Sequence, residues 1–229
     1  MFTSDDITLF ATDYLDKLYE AQQFLNLKIG FDTIHFVGKK NWTYDFLQAL
    51  SDEIVEAKNC ISWKWWTKET KDNGRFSQIL DEKNLKIEII DMLHFILCLD
   101  LIHDTKLEPN KIQYIPKVIF NDRTKNWLLF AALDEFLYKI QSFKYQSNFF
   151  CRETIDEILY TQVFPEWRES YTILIWSTFF EICDLVGLTI YEIYELYMKK
   201  NEVNLKRQEN NYSMLTKTED DNEQLKASL

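Results

Sequence analysis

The sequence predicts an all-α protein, a multi-helix, bundle-like single domain spanning residues 1–229. Three observations predict it. Glycine and proline are scarce, with 4 and 3 in 229 residues. Sheets need turn residues at short intervals, so this composition favours long helices and few turns. Hydrophobic residues make up 46% of the chain, enough for a sizeable core. Apolar residues also recur along several stretches at three- and four-residue spacing, the signature of helix faces.

The elements follow in order. Residues 5–27 form an amphipathic helix, with Ser4 as its cap and Leu9, Leu15, Leu18, Ala21 and Leu25 on its inner face. Residues 30–40, holding Gly30 and Gly38, connect it to a second helix over 44–61. That helix runs into Trp63-Lys64-Trp65-Trp66, where flat apolar rings alternate with a cation. Such a stretch suits a base stacked beside its phosphates, or equally a core with its lysine reaching out to water. A polar loop over 71–83 leads to a helix over 85–102 that is apolar almost all round and therefore buried on most sides. Residues 105–125, with Pro109 and Pro116, read as an insertion. Helices follow over 126–143, 153–160 and, after Pro165, 169–186, where Gly187 ends the run. Thr189 caps a last helix reaching about Lys200. Beyond it the chain turns polar and reads as a loosely packed tail.

Charge and cysteines narrow the function. The net charge of −11 argues against a nucleic-acid partner and suits a site that gathers cations. No run of about 18 apolar residues exists, so no membrane span is expected. No basic stretch precedes an apolar run at the N-terminus, so no secretory signal is expected. Cys60, Cys98, Cys151 and Cys183 are scattered among apolar neighbours. They read as buried thiols of a reducing, cytoplasmic setting.

Four carboxylates stand out. Glu53 and Glu56 lie three apart on the second helix; Glu88 and Asp91 lie three apart on the buried one. This spacing puts each pair on one helix face. Glu53 falls in the apolar stripe of Phe46, Leu50, Ala57 and Ile61, while Glu88 and Asp91 share a face with Phe95. Carboxylates on inward faces need a partner, and four of them suit a hard divalent ion such as Mg²⁺. The competing reading is ordinary solvated helix surface. A di-iron centre would need Glu-x-x-His twice. Only Asp91-Met-Leu-His94 approaches that pattern, so His94 reads instead as a packed histidine bonded to a neighbour.

Four blocks in order carry a family resemblance. They are Gln22-Gln23-Phe24-Leu25-Asn26; Glu53-x-x-Glu56 with Trp63-Lys64-Trp65-Trp66; Glu88-Ile-Ile-Asp91-Met-Leu-His94-Phe95; and Lys200-Asn201-x-x-Asn204-x-x-Arg207-Gln208-x-Asn210-x-Tyr212. Together they resemble the dimeric dUTPases of the all-α, MazG-like NTP pyrophosphatase superfamily. The chain departs from that pattern at Leu27, where an acidic residue is expected, and at residues 105–125.

The resemblance implies a Mg²⁺-dependent homodimer that hydrolyses dUTP to dUMP and pyrophosphate, with a metal-activated water attacking the α-phosphorus. Glu53, Glu56, Glu88 and Asp91 would hold the metal, and Glu53, with Glu56 beside it, would orient and deprotonate the water. Gln23, Asn26 and Asn204 would read the base, with Trp65 packed against it. Lys200, Arg207, Tyr212 and Lys64 would bind the outer phosphates. Residues 200–229 would close over the nucleotide. An amide can be turned to suit cytosine as well as uracil. The alternatives are therefore a relative acting on dCTP or another NTP, and a non-catalytic helical interaction protein.

Overall fold

The structure, a computed structural model, describes residues 2–31, 39–112, 119–151, 157–209 and 226–227. Among them there is no strand, only one isolated bridge between Ile61 and Ile79.

The N-terminal helix is capped by Thr3 rather than Ser4. Thr3 Oγ1 accepts from the Asp6 amide at 3.2 Å, and the Asp6 carboxylate accepts from the Thr3 amide at 2.7 Å. That reciprocal box needs an acid three residues after the cap; Thr3 has Asp6, whereas Ser4 has Ile7. The helix is also not uniform. α1 (Ser4–Leu9) passes through a π-helical turn, Phe10–Tyr14, into α2 (Leu15–Lys28). Phe10, in the wide turn, is fully buried against Trp176 and Phe180.

The first carboxylate helix, α3 (Lys39–Asn59), packs mainly against α6 (Asp122–Cys151) and α5 (Glu82–His103). Its stripe is inward as the spacing predicts: Leu50, Ile54 and Ala57 are fully buried. The stretch expected as a loop over 71–83 carries a short helix, α4 (Lys68–Asn73). It is then tied back by hydrogen bonds from Phe76 N to Ser62 O and from Leu80 N to Cys60 O, both 2.7 Å. α5 is the central helix. Leu85, Ile89, Met92, Leu93 and Leu97 on it are fully buried, as its all-round apolar character requires.

Residues 105–125 contain a 3-10 turn, Pro109–Lys111, and the start of α6; residues 113–118, with Pro116, lie outside the described residues. α7 (Glu157–Val186) runs through Pro165, which was expected to precede a helix. Proline removes one backbone hydrogen bond, but its φ is close to helical. α8 (Ile190–Glu209) starts at Thr189, whose hydroxyl takes the Glu192 amide at 3.2 Å. It continues well past Lys200, so the first part of the expected tail is helix. α8 lies against α2 and α5, which brings its polar residues to the carboxylates. No single helix among the described residues is long and apolar enough to cross a membrane.

Candidate active site

α3 and α5 bring three of the four acids together. Oxygens of Glu53, Glu56 and Glu88 lie within 4.8 Å of one another. They line a cavity of about 390 Å³ closed by α2 and α8. Glu88 is buried, Glu53 half-buried and Glu56 exposed, so the cluster is dry at one end and open at the other. Asn84 sits one turn before Glu88 and donates to its Oε1 at 2.6 Å. This neighbour went unremarked in the sequence, although its four-residue spacing from Glu88 puts it on the same face.

Burial and mutual repulsion raise the Glu53 and Glu88 carboxyls of the cluster. Burial, then Asp91 and Glu88, push the Glu53 carboxyl far above the usual carboxylate range. Burial and Asp91 push Glu88 up as well, against the opposing hydrogen bond from Glu53. Two facing carboxylates in a low-dielectric setting are stabilised by a shared proton or by a cation.

The fourth acid is differently engaged. Asp91 lines the same cavity, but its Oδ2 takes the Lys200 ammonium at 2.8 Å. The Lys200 side chain is only 3% exposed. It lines the cavity beside the acids while paired with Asp91.

The inner end of the cavity is a polar network in apolar surroundings. Gln22 and Asn26, on α2, are 2% and 1% exposed. Gln22 Nε2 donates to Asn26 Oδ1 at 2.8 Å, and Gln22 Oε1 lies 2.8 Å from His94 Nδ1. His94 is thus the packed, bonded histidine the sequence suggested, stacked on Tyr197 with ring centroids 4.3 Å apart. Burial, then Lys200, push its pKa down to about 3, so it is neutral.

The expected site residues divide as follows. Glu53, Glu56, Glu88, Asp91, Asn26, Lys200, Asn204 and Arg207 all line the cavity. Gln23 does not; its neighbour Gln22 does, because a residue four before Asn26 shares its face. Lys64 and Trp65 are not brought to the cavity of this chain. Lys64 lies over the Trp63 ring, and Trp65 is 67% exposed, edge-on to Trp66. Tyr212 lies outside the described residues. Gln22, Asn84, Cys98 and Gln208 are lining residues to which the sequence reading gave no role. A second cavity of about 340 Å³ lies beside the turn after α5, away from the acids, between Lys106, Lys111 and Trp176.

Comparison with known proteins adds one match. A family model described as dUTPase matches residues 14–212 of the chain, a span holding every residue placed above around the acidic cavity. No curated protein matches the chain.

Proposed function

We propose a mechanism from one premise: this chain belongs to the dUTPase family and is an enzyme that hydrolyses dUTP. The finer reading is hydrolysis to dUMP and pyrophosphate, dependent on Mg²⁺ or a similar hard divalent ion. The convergence of Glu53, Glu56 and Glu88 oxygens within 4.8 Å carries this reading. The donor set fits such an ion, being all oxygen, multiply charged and partly buried. Asp91, which lines the same cavity, would complete the set. The ion supplies charge neutralisation on the phosphates and acidifies a nearby water.

The chain's own residues do the rest. Glu53, at the cavity wall, orients the attacking water and accepts its proton, with Glu56 beside it. The water oxygen bonds to the α-phosphorus, and the bond from phosphorus to the bridging oxygen breaks. Pyrophosphate carries away the electron pair. Asn84 holds the Glu88 carboxylate in place. Lys200 holds Asp91 in place. Arg207, on α8, supplies a planar cationic donor for the leaving phosphates. Asn204 reads the base, and Tyr212, by family resemblance, joins the phosphate contacts.

By family resemblance, residues 200–229 would close over the nucleotide and exclude water from the phosphates; residues 210–225 of that segment lie outside the described residues. Phe24, Leu27 and Ile29, each about half exposed at the cavity end of α2, support a second copy of the chain covering that face. Sedimentation is expected to show a homodimer; a monomer at micromolar concentration contradicts it.

The reaction is tested by following dUTP and Mg²⁺ with phosphorus NMR. The wild type is expected to give dUMP and pyrophosphate. Glu53→Gln is expected to lose about 10²- to 10⁴-fold in rate with its helical signal intact. A folded Glu53→Gln protein with full activity overturns the proposal.

A further inference from the structure

Lys226, well beyond α8 in sequence, is fixed at two points on the N-terminus of α5, the helix that carries Glu88 and Asp91. Its Nζ meets Asp81 Oδ2 at 3.3 Å, and its carbonyl oxygen accepts from the Lys83 ammonium at 2.7 Å. The Lys226 side chain is only 19% exposed. A helix N-terminus carries partial positive charge and disfavours an ammonium. Helix formation alone therefore gives no reason for Lys226 to sit there.

Asp81 gives the reason. It is the N-cap of α5, and its two oxygens are used separately. Oδ1 accepts from the Asn84 amide at 2.9 Å, while Oδ2 faces Lys226. The Asn84 amide, then Lys226, hold the Asp81 carboxyl below the usual carboxylate range against the opposing effect of burial. Asn84 is the next link. Its NH2 group donates to Glu88 Oε1 at 2.6 Å and to Cys60 Sγ at 3.6 Å. Both of its hydrogens are thus used, and the amide turns its nitrogen, not its oxygen, to the carboxylate. Contacts run unbroken from Lys226 through Asp81 and Asn84 to Glu88, in the cluster whose oxygens lie within 4.8 Å of one another.

Stability does not account for this series. Asp81 is 47% exposed, and a pair so open to water adds little to global stability. Asparagine caps a helix as well as aspartate does, so capping does not require the charge at residue 81. Lys226 is what that charge meets. Neither residue lines the acidic cavity.

We propose that Lys226 is a positioning residue for the acidic cluster: paired with Asp81, it fixes the start of α5 so that Asn84 holds Glu88 in place. The proposal rests on the metal-dependent reading above and adds to it a contact made from outside the cavity. A carboxylate held in place before the cation arrives binds it more tightly. The pair thus adjusts cation affinity without touching the cation.

The test is calorimetric titration of the full chain with Mg²⁺ alone, together with amide hydrogen exchange at Asn84 in the metal-free protein. Lys226→Met and Asp81→Asn each keep a capping side chain on α5. Each is expected to weaken Mg²⁺ binding about 3- to 5-fold and to speed exchange at Asn84 by a similar factor, with the melting temperature unchanged. Lys226→Arg keeps the charge and is expected to restore both readings. In an Asn84→Ala background, Lys226→Met is expected to add no further loss, because the link is already cut. Wild-type Mg²⁺ affinity in Lys226→Met or Asp81→Asn, or the full further loss in the Asn84→Ala background, overturns the proposal and leaves the metal-dependent reading standing. A wild type that binds no Mg²⁺ brings down both.

Discussion

Glu53 is held between burial and its acidic neighbours, and that gives it a measurable signature. Its carboxyl is raised from an ordinary 4.5 to about 9, first by burial, then by Asp91 and Glu88. A raised carboxyl binds a proton in the folded chain that the unfolded chain has released. Its contribution to stability is therefore present below about 4.5 and is lost as pH rises toward about 9. A cation in the cluster takes the place of that proton. Melting curves across this window should fall with pH in chelator and fall less in Mg²⁺, with the gap widening upward; parallel curves contradict it. Lys200 gives the second prediction at this scale. Its ammonium is buried on Asp91 at 2.8 Å, so Lys200→Met strands a carboxylate and should cost about 3–5 kcal/mol in denaturant unfolding. Adding Asp91→Asn should recover much of the loss. The sequence showed Glu53 as out of place because a charge interrupted an apolar stripe. It did not show Gln22 or His94 as site residues, because a satisfied polar residue in a helix looks the same facing a core or a ligand.

At the scale of elements, α5 was the most legible and α8 the least. α5 is apolar on nearly every side, so Glu88 and Asp91 had to face something. Asn84 on the same helix fixes Glu88, and Asn84→Ala should weaken Mg²⁺ binding about 10- to 100-fold with little change in unfolding; unchanged affinity contradicts that role. α8 carries Lys200, Asn201, Asn204 and Arg207 on a helix that hydropathy alone reads as a solvated tail. A polar face turned to a polar cavity has the same composition as one turned to water, so only the family resemblance flagged it. This changes where a truncation is informative. Ending the chain after Lys199 cuts α8 and removes the Asp91 partner, so stability falls together with activity. Ending it after Glu209 should spare the melting temperature and still cost most of the activity. A fully active protein ending there removes the closing segment from the account.

For the molecule as a whole, scarce glycine and proline and helical periodicity were enough to fix an all-α architecture. The same rules missed the π-helical turn at Phe10–Tyr14, where Phe10 packs on Trp176 and Phe180, and the passage of α7 through Pro165. Lys64 and Trp65 were expected at the nucleotide and lie outside the cavity of one chain. What unites the parts is a bundle whose central helix brings Glu88 to Glu53 and Glu56, the carboxylate cluster that we propose takes a divalent cation. Calorimetry with Mg²⁺ and a non-hydrolysable dUTP analogue, comparing the wild type with Glu88→Gln, tests this most directly. Saturable heat is expected for the wild type, with a large loss of it in a folded Glu88→Gln protein. Equal heats for the two proteins, or none for the wild type, would contradict it.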